Sequence, residues 1–367
     1  MASDDVKLNA AGLTKWKQEA GVLQQFIDDP NVSEIMVNSY DHIFLEIDGE
    51  IRMLDRGFEN ADGLMRFAQA IAVTAGREVN RKHPCVDTRL PDGSRVSIIV
   101  PPVALDGPII TIRKRQTKAI TYREMIDRGS VDDKLVVFLY QLVRCRQNLI
   151  VSGGTSSGKT TLLNMLSKFI LSEERVITIE DTAELQLTVM NLVRMESKPS
   201  LGNELGVSMQ DLLVSALRMR PDRIIIGECR GAEAWDMLLA MNTGHEGSMT
   251  TLHSNSAYDA LRRMEAMALR SGIQAPLSMI KHDIANTINF IVHMDRQSDG
   301  KRRVVEIVEV VDRDGDDYVT KPIFTWTPEN GFKTTGEIPK FVAQPTNQHL
   351  ELTTDFFNPT YKYKMAG

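Results

Sequence analysis

Up to about residue 116, apolar and polar positions alternate over short runs, as in "SEIMVNS" (33–39) and "HIFLEIDGEIRML" (42–54). Period-two alternation predicts half-buried strands, and Asp48-Gly49 supplies a hairpin turn inside the second run. "NADGLMRFAQAIAVTAG" (60–76) switches to helical spacing, with Asn60 or Asp62 near its start and Gly76 at its end. A second strand-rich patch follows in "RLPDGSRVSIIVPP" (89–102) and "PIITIRKR" (108–115), turning at Pro91-Asp92-Gly93.

From Asp132 onward the rhythm is different. Short, fully apolar runs predict buried strands: "NLIV" (148–151), "RVITI" (175–179), "DRIIIG" (222–227) and "SMTTL" (248–252). Helical stretches separate them, at 160–171, 207–219, 231–242 and 255–269. That alternation predicts an α/β fold with a doubly wound parallel sheet, which binds ligands at the carboxyl ends of its strands. After Asn286, "FIVHMD" and "RRVVEIVEVV" read as a hairpin through Ser298–Lys301, and "DRDGDDY" as another turn. The expected organisation is an N-terminal α/β domain over 1–116, a linker with a short helix over 117–131, a parallel-sheet domain over 132–320, and a Pro- and polar-rich peripheral extension over 321–367.

Composition narrows the partners. Of 367 residues, 42% are apolar and 25% charged, ordinary for a globular chain that splits into more than one domain. A net charge of −6 and no obvious basic stripe argue against nucleic acid as the main partner. Cys85, Cys145 and Cys229 form no C-x-x-C pair, so neither a structural zinc nor a disulfide framework is expected, and a reducing cytosol is the simplest compartment. The acidic N-terminus does not read as a signal peptide, and the densest apolar run, Leu135 to Val143, is far too short to span a bilayer.

Chemistry enters with "GGTSSGKTT", residues Gly153, Gly154, Thr155, Ser156, Ser157, Gly158, Lys159, Thr160 and Thr161. It fits G-x-x-x-x-G-K-[ST] between a predicted strand and a predicted helix, the context a phosphate-binding loop requires. Its glycines let backbone N–H groups curl around phosphate oxygens at a helix N-terminus, Lys159 reaches the β/γ-phosphates, and Thr160 offers a hydroxyl to Mg²⁺. ATP and Mg²⁺ are the expected ligands.

Two strands downstream end in acids. The first ends at Glu180-Asp181, with Glu184 close behind, and the second at Glu228. Phosphoryl transfer to water needs a group that orients the water and others that hold Mg²⁺. Glu228 is the candidate for the water, with Glu180 and Asp181 assisting there or at Mg²⁺. An aspartate commonly ends the second strand of such proteins; here Gly227 stands in its place. "GHEGSMTTLHS" (244–254) lacks the H-E-x-x-H spacing of a zinc helix. Its position favours a turn at Gly244–Gly247 feeding a strand that carries His253 to the ligand edge, where an imidazole can report on the γ-phosphate. The alternative is that His245 and His253 only satisfy turn backbone.

In this order, "GGTSSGKTT", "IEDTAEL", "IIIGECRGAEAWDML" and "NTGHEGSMTTLHSNSAYDALRRME" resemble the type II/IV secretion ATPase superfamily, over about residues 30–290. Within it the chain is most similar to the Tad/Flp-pilus motor ATPases, which carry GE-x-R-G-x-E-A and NTGH-x-GS…T-x-H-x-NS. There is no four-cysteine zinc module, and Gly231 stands where retraction-type motors have Asp. The resemblance implies a RecA-like P-loop NTPase core with a smaller N-terminal PAS-like α/β domain. It implies a hexameric, cytoplasmic ATPase that drives assembly, with or without retraction, of a type IV or Tad-type pilus, or secretion. That motor would sit at the inner face of the cytoplasmic membrane against platform proteins. It assigns catalysis to Glu228, Mg²⁺ or water contacts to Glu180 and Asp181, and γ-phosphate sensing to His253. It also implies that Arg95 and Arg113, and less strongly Arg89, reach nucleotide phosphates, and that Arg230 tethers the Glu228 edge to a neighbouring element.

Overall fold

The computed structural model describes residues 16–47, 49–115, 120–198, 205–343, 352–361 and 363. It divides into two compact units, 1–118 and 119–367.

After a 3-10 turn at Gly21–Leu23, unit 1 runs through the short helix α1 (Gln24–Asp28), β1 (Val32–Val37), β2 (Ile43–Ile47), β3 (Glu50–Met53), α2 (Ala61–Thr74), β4 (Cys85–Arg89), β5 (Arg95–Ile99) and β6 (Ile109–Arg113). The strands form one antiparallel sheet in the order β3-β2-β1-β6-β5-β4. Alternation decides its faces. Val96 and Ile98 of β5, and Ile110 and Ile112 of β6, are buried against Leu64, Phe67, Ala68 and Ile71 of α2. Arg95 and Arg113, on the intervening positions, fall on the other face. The Asn60 side chain caps α2 by accepting from the Gly63 N–H at 2.9 Å. Asp48 of the expected hairpin turn lies outside the described residues.

Unit 2 contains α3 (Tyr122–Asp127), α4 (Asp133–Arg144), β7 (Leu149–Gly153), α5 (Lys159–Ser167), β8 (Arg175–Glu180), β9 (Asn191–Glu196), α6 (Met209–Ala216), β10 (Arg223–Ile226) and α7 (Glu233–Asn242). It continues with β11 (Met249–His253), α8 (Ala257–Arg270), α9 (Leu277–Thr287), β12 (Phe290–Arg296), β13 (Arg302–Asp314), β14 (Asp317–Thr327) and β15 (Gly331–Thr334). The sheet order is β15-β14-β13-β12-β7-β11-β10-β8-β9. From β12 to β9 neighbouring strands are parallel; from β12 to β15 they are antiparallel. Helices cover both faces, as a parallel sheet requires. Leu149 and Val151 pack with α4 and α5, whereas Ile150 packs with α6 to α9. This is the RecA-like core expected from the sequence.

Three expectations change. Residue 320, taken as a domain boundary, falls inside β14. The stretch read as a linker has its expected short helix, α3, but is part of unit 2's core, which Met125 and Val131 enter. The C-terminal stretch is not peripheral: Phe341, Leu352, Phe356 and Phe357 are buried around Phe138 of α4. The Lys134 ammonium holds that stretch by donating to Thr334 Oγ1 (3.1 Å) and to the carbonyls of Asn358 and Tyr361 (both 3.2 Å). Residues spaced too irregularly to show a period thus supply core, each contributing about 2 kcal/mol on burial.

At the amino ends of the parallel strands, Arg223 is 1% exposed. It forks onto Glu174 (2.7 and 3.1 Å) and donates to the carbonyls of Val143 (2.8 Å) and Gly247 (3.0 Å). Gly247 has φ +83°, and a Cβ there would lie 2.3 Å from Arg223 Nη1. Gly247→Ala should therefore lower the unfolding free energy by about 3 kcal/mol in urea denaturation, because it disturbs a buried ion pair. Gly244 also has positive φ (+93°), but a Cβ there meets no atom within 4 Å. Gly244→Ala should cost only about 1 kcal/mol; equal losses would show that backbone conformation alone sets the requirement.

Candidate functional site

The strand β7 delivers the phosphate loop and α5 receives it. At Gly153 a Cβ would lie 2.3 Å from the Met294 carbonyl oxygen and 2.5 Å from Ser157 Oγ, so only glycine fits. Gly158, with φ +99°, caps α5. Residues 154–156 are exposed, while Ser157 and Lys159 are buried. Lys159 turns its ammonium into the loop, donating to the carbonyls of Gly153 (3.1 Å) and Gly154 (2.7 Å). Ser157 Oγ is buried against Gly153 without a hydrogen-bond partner among the described residues.

Strand register brings the other groups to this edge. His253 pairs with Gly153 across β11 and β7. Its Nδ1 accepts from Lys159 Nζ at 3.3 Å, and its Nε2 lies 2.8 Å from Glu228 Oε1. Burial and then the Lys159 charge hold the His253 pKa below its ordinary value, against the pull of Glu228, so the ring is neutral near pH 7. With Nδ1 facing an ammonium, the neutral ring carries its proton on Nε2, beside Glu228 Oε1, although that oxygen accepts no hydrogen bond among the described residues. Arg230 closes the arrangement, donating to Glu228 Oε2 (2.5 Å) and to Asp181 Oδ2 (3.1 Å). Lys159, His253, Glu228, Arg230 and Asp181 thus form one continuous chain of contacts.

Glu180 is placed differently from its neighbour. It is 2% exposed, and its Oε1 accepts from the N–H groups of Glu184 and Leu185 (both 2.8 Å). Burial raises its pKa. Its chain also accounts for Gly227, where a Cβ would lie 3.0 Å from Glu180 Cγ. The usual strand-end aspartate has no room here, because a neighbouring strand already sends a carboxylate into that space.

Of the two histidines in residues 244–254, His253 ends β11 and His245 lies in the turn before that strand. His245 donates through Nδ1 to the Ala240 carbonyl at the end of α7 (3.1 Å), and its own carbonyl accepts from Ser248 Oγ (2.7 Å). It holds the turn. Arg89, Arg95 and Arg113 belong to unit 1, where they oppose one another across β4, β5 and β6, with Glu34 of β1 opposite Arg113.

Several residues escaped the sequence reading. A cavity of about 480 Å³ is lined by Gly154, Thr155, His253, Ser254, Asn255, Asp259 and Arg263. The last three follow the histidine motif on the approach to α8 and within it, where helical spacing from Ser256 could have pointed to them. His293 is buried with Nδ1 2.9 Å from Ser152 Oγ. Among the described residues no cluster of three or more His, Cys, Asp or Glu could hold a metal by itself. Thr160 and the part-exposed Asp181 suit Mg²⁺, which takes few protein ligands and completes its shell with phosphate and water.

A family model described as "Type II/IV secretion system protein" matches residues 17–326. Over 237 residues the chain is 38% identical to an uncharacterised protein of Methanocaldococcus jannaschii; the match takes in 62% of this chain but only 33% of that protein's length. It is 32% identical over 304 residues to the conjugal transfer protein TrbB of Rhizobium radiobacter, covering 80% of this chain and 88% of that one. Its fold resembles that of the ATPase DotB of Yersinia pseudotuberculosis, with a TM-score of 0.58, 20% identity, and coverage of 80% and 78%. With the phosphate loop, its strand-end carboxylates and the His253 register inside the matched span, the chain belongs to the type II/IV secretion system protein family.

Proposed function

We propose that the protein is a motor that hydrolyses ATP and couples it to assembly of a type IV or Tad-type pilus, or to transfer through a related secretion apparatus. The observation that carries this is the contact chain from Lys159 through His253 to Glu228 beside the phosphate loop. Lys159 binds the β/γ-phosphates and Glu228 orients the attacking water. Arg230 restrains one oxygen of Glu228 and leaves its aim fixed. His253 touches both groups, so loss or movement of the γ-phosphate shifts its hydrogen bonds. Mg²⁺, held through Thr160 and Asp181, would neutralise charge developing on the phosphates.

Arg95 and Arg113 are the candidate source of further transition-state charge, delivered from unit 1 of the same or a neighbouring chain. Arg89, Arg95 and Arg113 oppose one another across β4, β5 and β6, which gathers positive charge in one row and supports a phosphate-directed role. We infer a homo-oligomeric ring, with a hexamer as the working form, docked on inner-membrane platform proteins at the cytoplasmic face. No described helix is long and apolar enough to cross a membrane.

Three outcomes test the reading. Lys159→Ala should abolish ATP binding, whereas Glu228→Gln should bind ATP while phosphate release falls by about 10²–10⁴-fold; retained turnover in Glu228→Gln would remove its assignment. Arg113→Ala should lower kcat by about a thousandfold with little change in ADP affinity; an unchanged kcat would return it to a surface charge.

The third concerns pH. Because the folded chain takes up a proton at His253 less readily than the unfolded chain, the neutral ring's contribution is fully present above 6.5 and is lost as pH falls through the lower folded value. Lys159, Arg230 and Arg263 oppose that protonation and Glu228 favours it. The acid limb of kcat should have its midpoint below 6.5 and should change in His253→Gln; a midpoint at or above 6.5 would exclude His253 as the titrating group.

A further inference from the structure

The hairpin between β12 and β13 lies against the outer side of the phosphate loop. Met294 presents its carbonyl to Gly153, and its Cε would lie 3.3 Å from a Cβ at Gly158. On the returning strand, Arg302 runs its stem past Gly158, with Cδ and Cβ 3.6 and 3.7 Å from the same point. Arg302 Nε then donates to the Ser156 carbonyl at 2.8 Å.

Ser156 stands out in the loop. Its φ is +57°, a left-handed conformation that few residues other than glycine, asparagine and aspartate adopt readily. A side chain therefore sits where glycine would be at ease, and something must hold the backbone there. In a planar trans peptide the carbonyl and the next N–H point in opposite directions. With the Ser156 carbonyl held outward by the guanidinium, the Ser157 N–H turns inward, where it reaches the Gly154 carbonyl at 3.4 Å. That is the direction from which a loop of this kind offers N–H groups to phosphate oxygens.

The hairpin is itself braced. Arg303 forks onto Asp299 (2.8 and 2.7 Å), which holds the Asp299 pKa down to about 2, and its guanidinium lies 4.5 Å from the Trp326 ring centroid. A rigid path thus leads from β14 through the hairpin to the loop.

We propose that Arg302 is a positioning residue for the phosphate loop: through the Ser156 carbonyl it holds the loop in its phosphate-receiving shape and ties that shape to the antiparallel half of the sheet. The proposal rests on the nucleotide-binding reading above. It differs in kind from Lys159, which meets the phosphates directly, because Arg302 acts on the backbone from behind.

The test is binding of a fluorescent ADP analogue to the full chain in four forms: wild type, Arg302→Met, Ser156→Gly and the double variant. Arg302→Met should weaken binding about tenfold, the scale of losing a charge-assisted hydrogen bond. In the Ser156→Gly background the same change should cost only about twofold, since glycine takes a positive φ unaided. Arg302→Lys, which keeps the stem and the charge, should retain most of the affinity. Equal losses in the two backgrounds, or no loss in either, would overturn the proposal. Lys159→Ala separates the two readings. A wild type that binds no analogue removes nucleotide binding itself. A wild type whose binding depends on Lys159 but not on Arg302 removes this inference alone.

Discussion

Placing the Arg223 guanidinium in the interior costs several kcal/mol of hydration, and every donor it carries must find an acceptor in return. The acceptors come from three places, Glu174 at the approach to β8, the last turn of α4 at Val143 and the turn before β11 at Gly247, and Arg223 joins all three to β10. Each lies at the amino edge of the parallel sheet. Satisfying one charge therefore sets how far each strand has advanced when it starts. Since rise per residue is fixed, it also sets which residue arrives at the carboxyl edge. Gly153, Glu180, Glu228 and His253 meet at one edge because their strands start from a shared anchor at the other.

What the sequence shows follows the strength of local signal. The phosphate loop, the strands at 149–153 and 223–226, and His253 at a strand's end were legible because buried parallel strands are short apolar runs and their ends are abrupt. Glu180 and Asp181 are adjacent and looked equivalent, yet one is buried and holds a loop while the other reaches Arg230. Successive residues on a strand face opposite ways, but which way is fixed only by the neighbouring strand. β9 escaped because its exposed edge lacks the apolar run of its neighbours. The C-terminal aromatics escaped because their contacts span some two hundred residues of chain, beyond any local period.

The edge itself works by opposed demands on one ring. Lys159 requires an acceptor, which Nδ1 of a neutral imidazole supplies, while Nε2, carrying the proton, lies 2.8 Å from the Glu228 carboxylate. A protonated ring would meet Lys159 with like charge.

The arginine row on unit 1 has a consequence for the medium in which the protein works. Arg89, Arg95 and Arg113 face one another on neighbouring strands, with Glu34 opposite Arg113. Their mutual repulsion is a free-energy store that falls as dissolved ions screen it, over about 10 Å at 0.1 M ionic strength. Raising ionic strength should therefore relieve the repulsion within the row and, by the same screening, dull its attraction for anions. Like-charge strain within the row and its affinity for anions fall together along the salt axis.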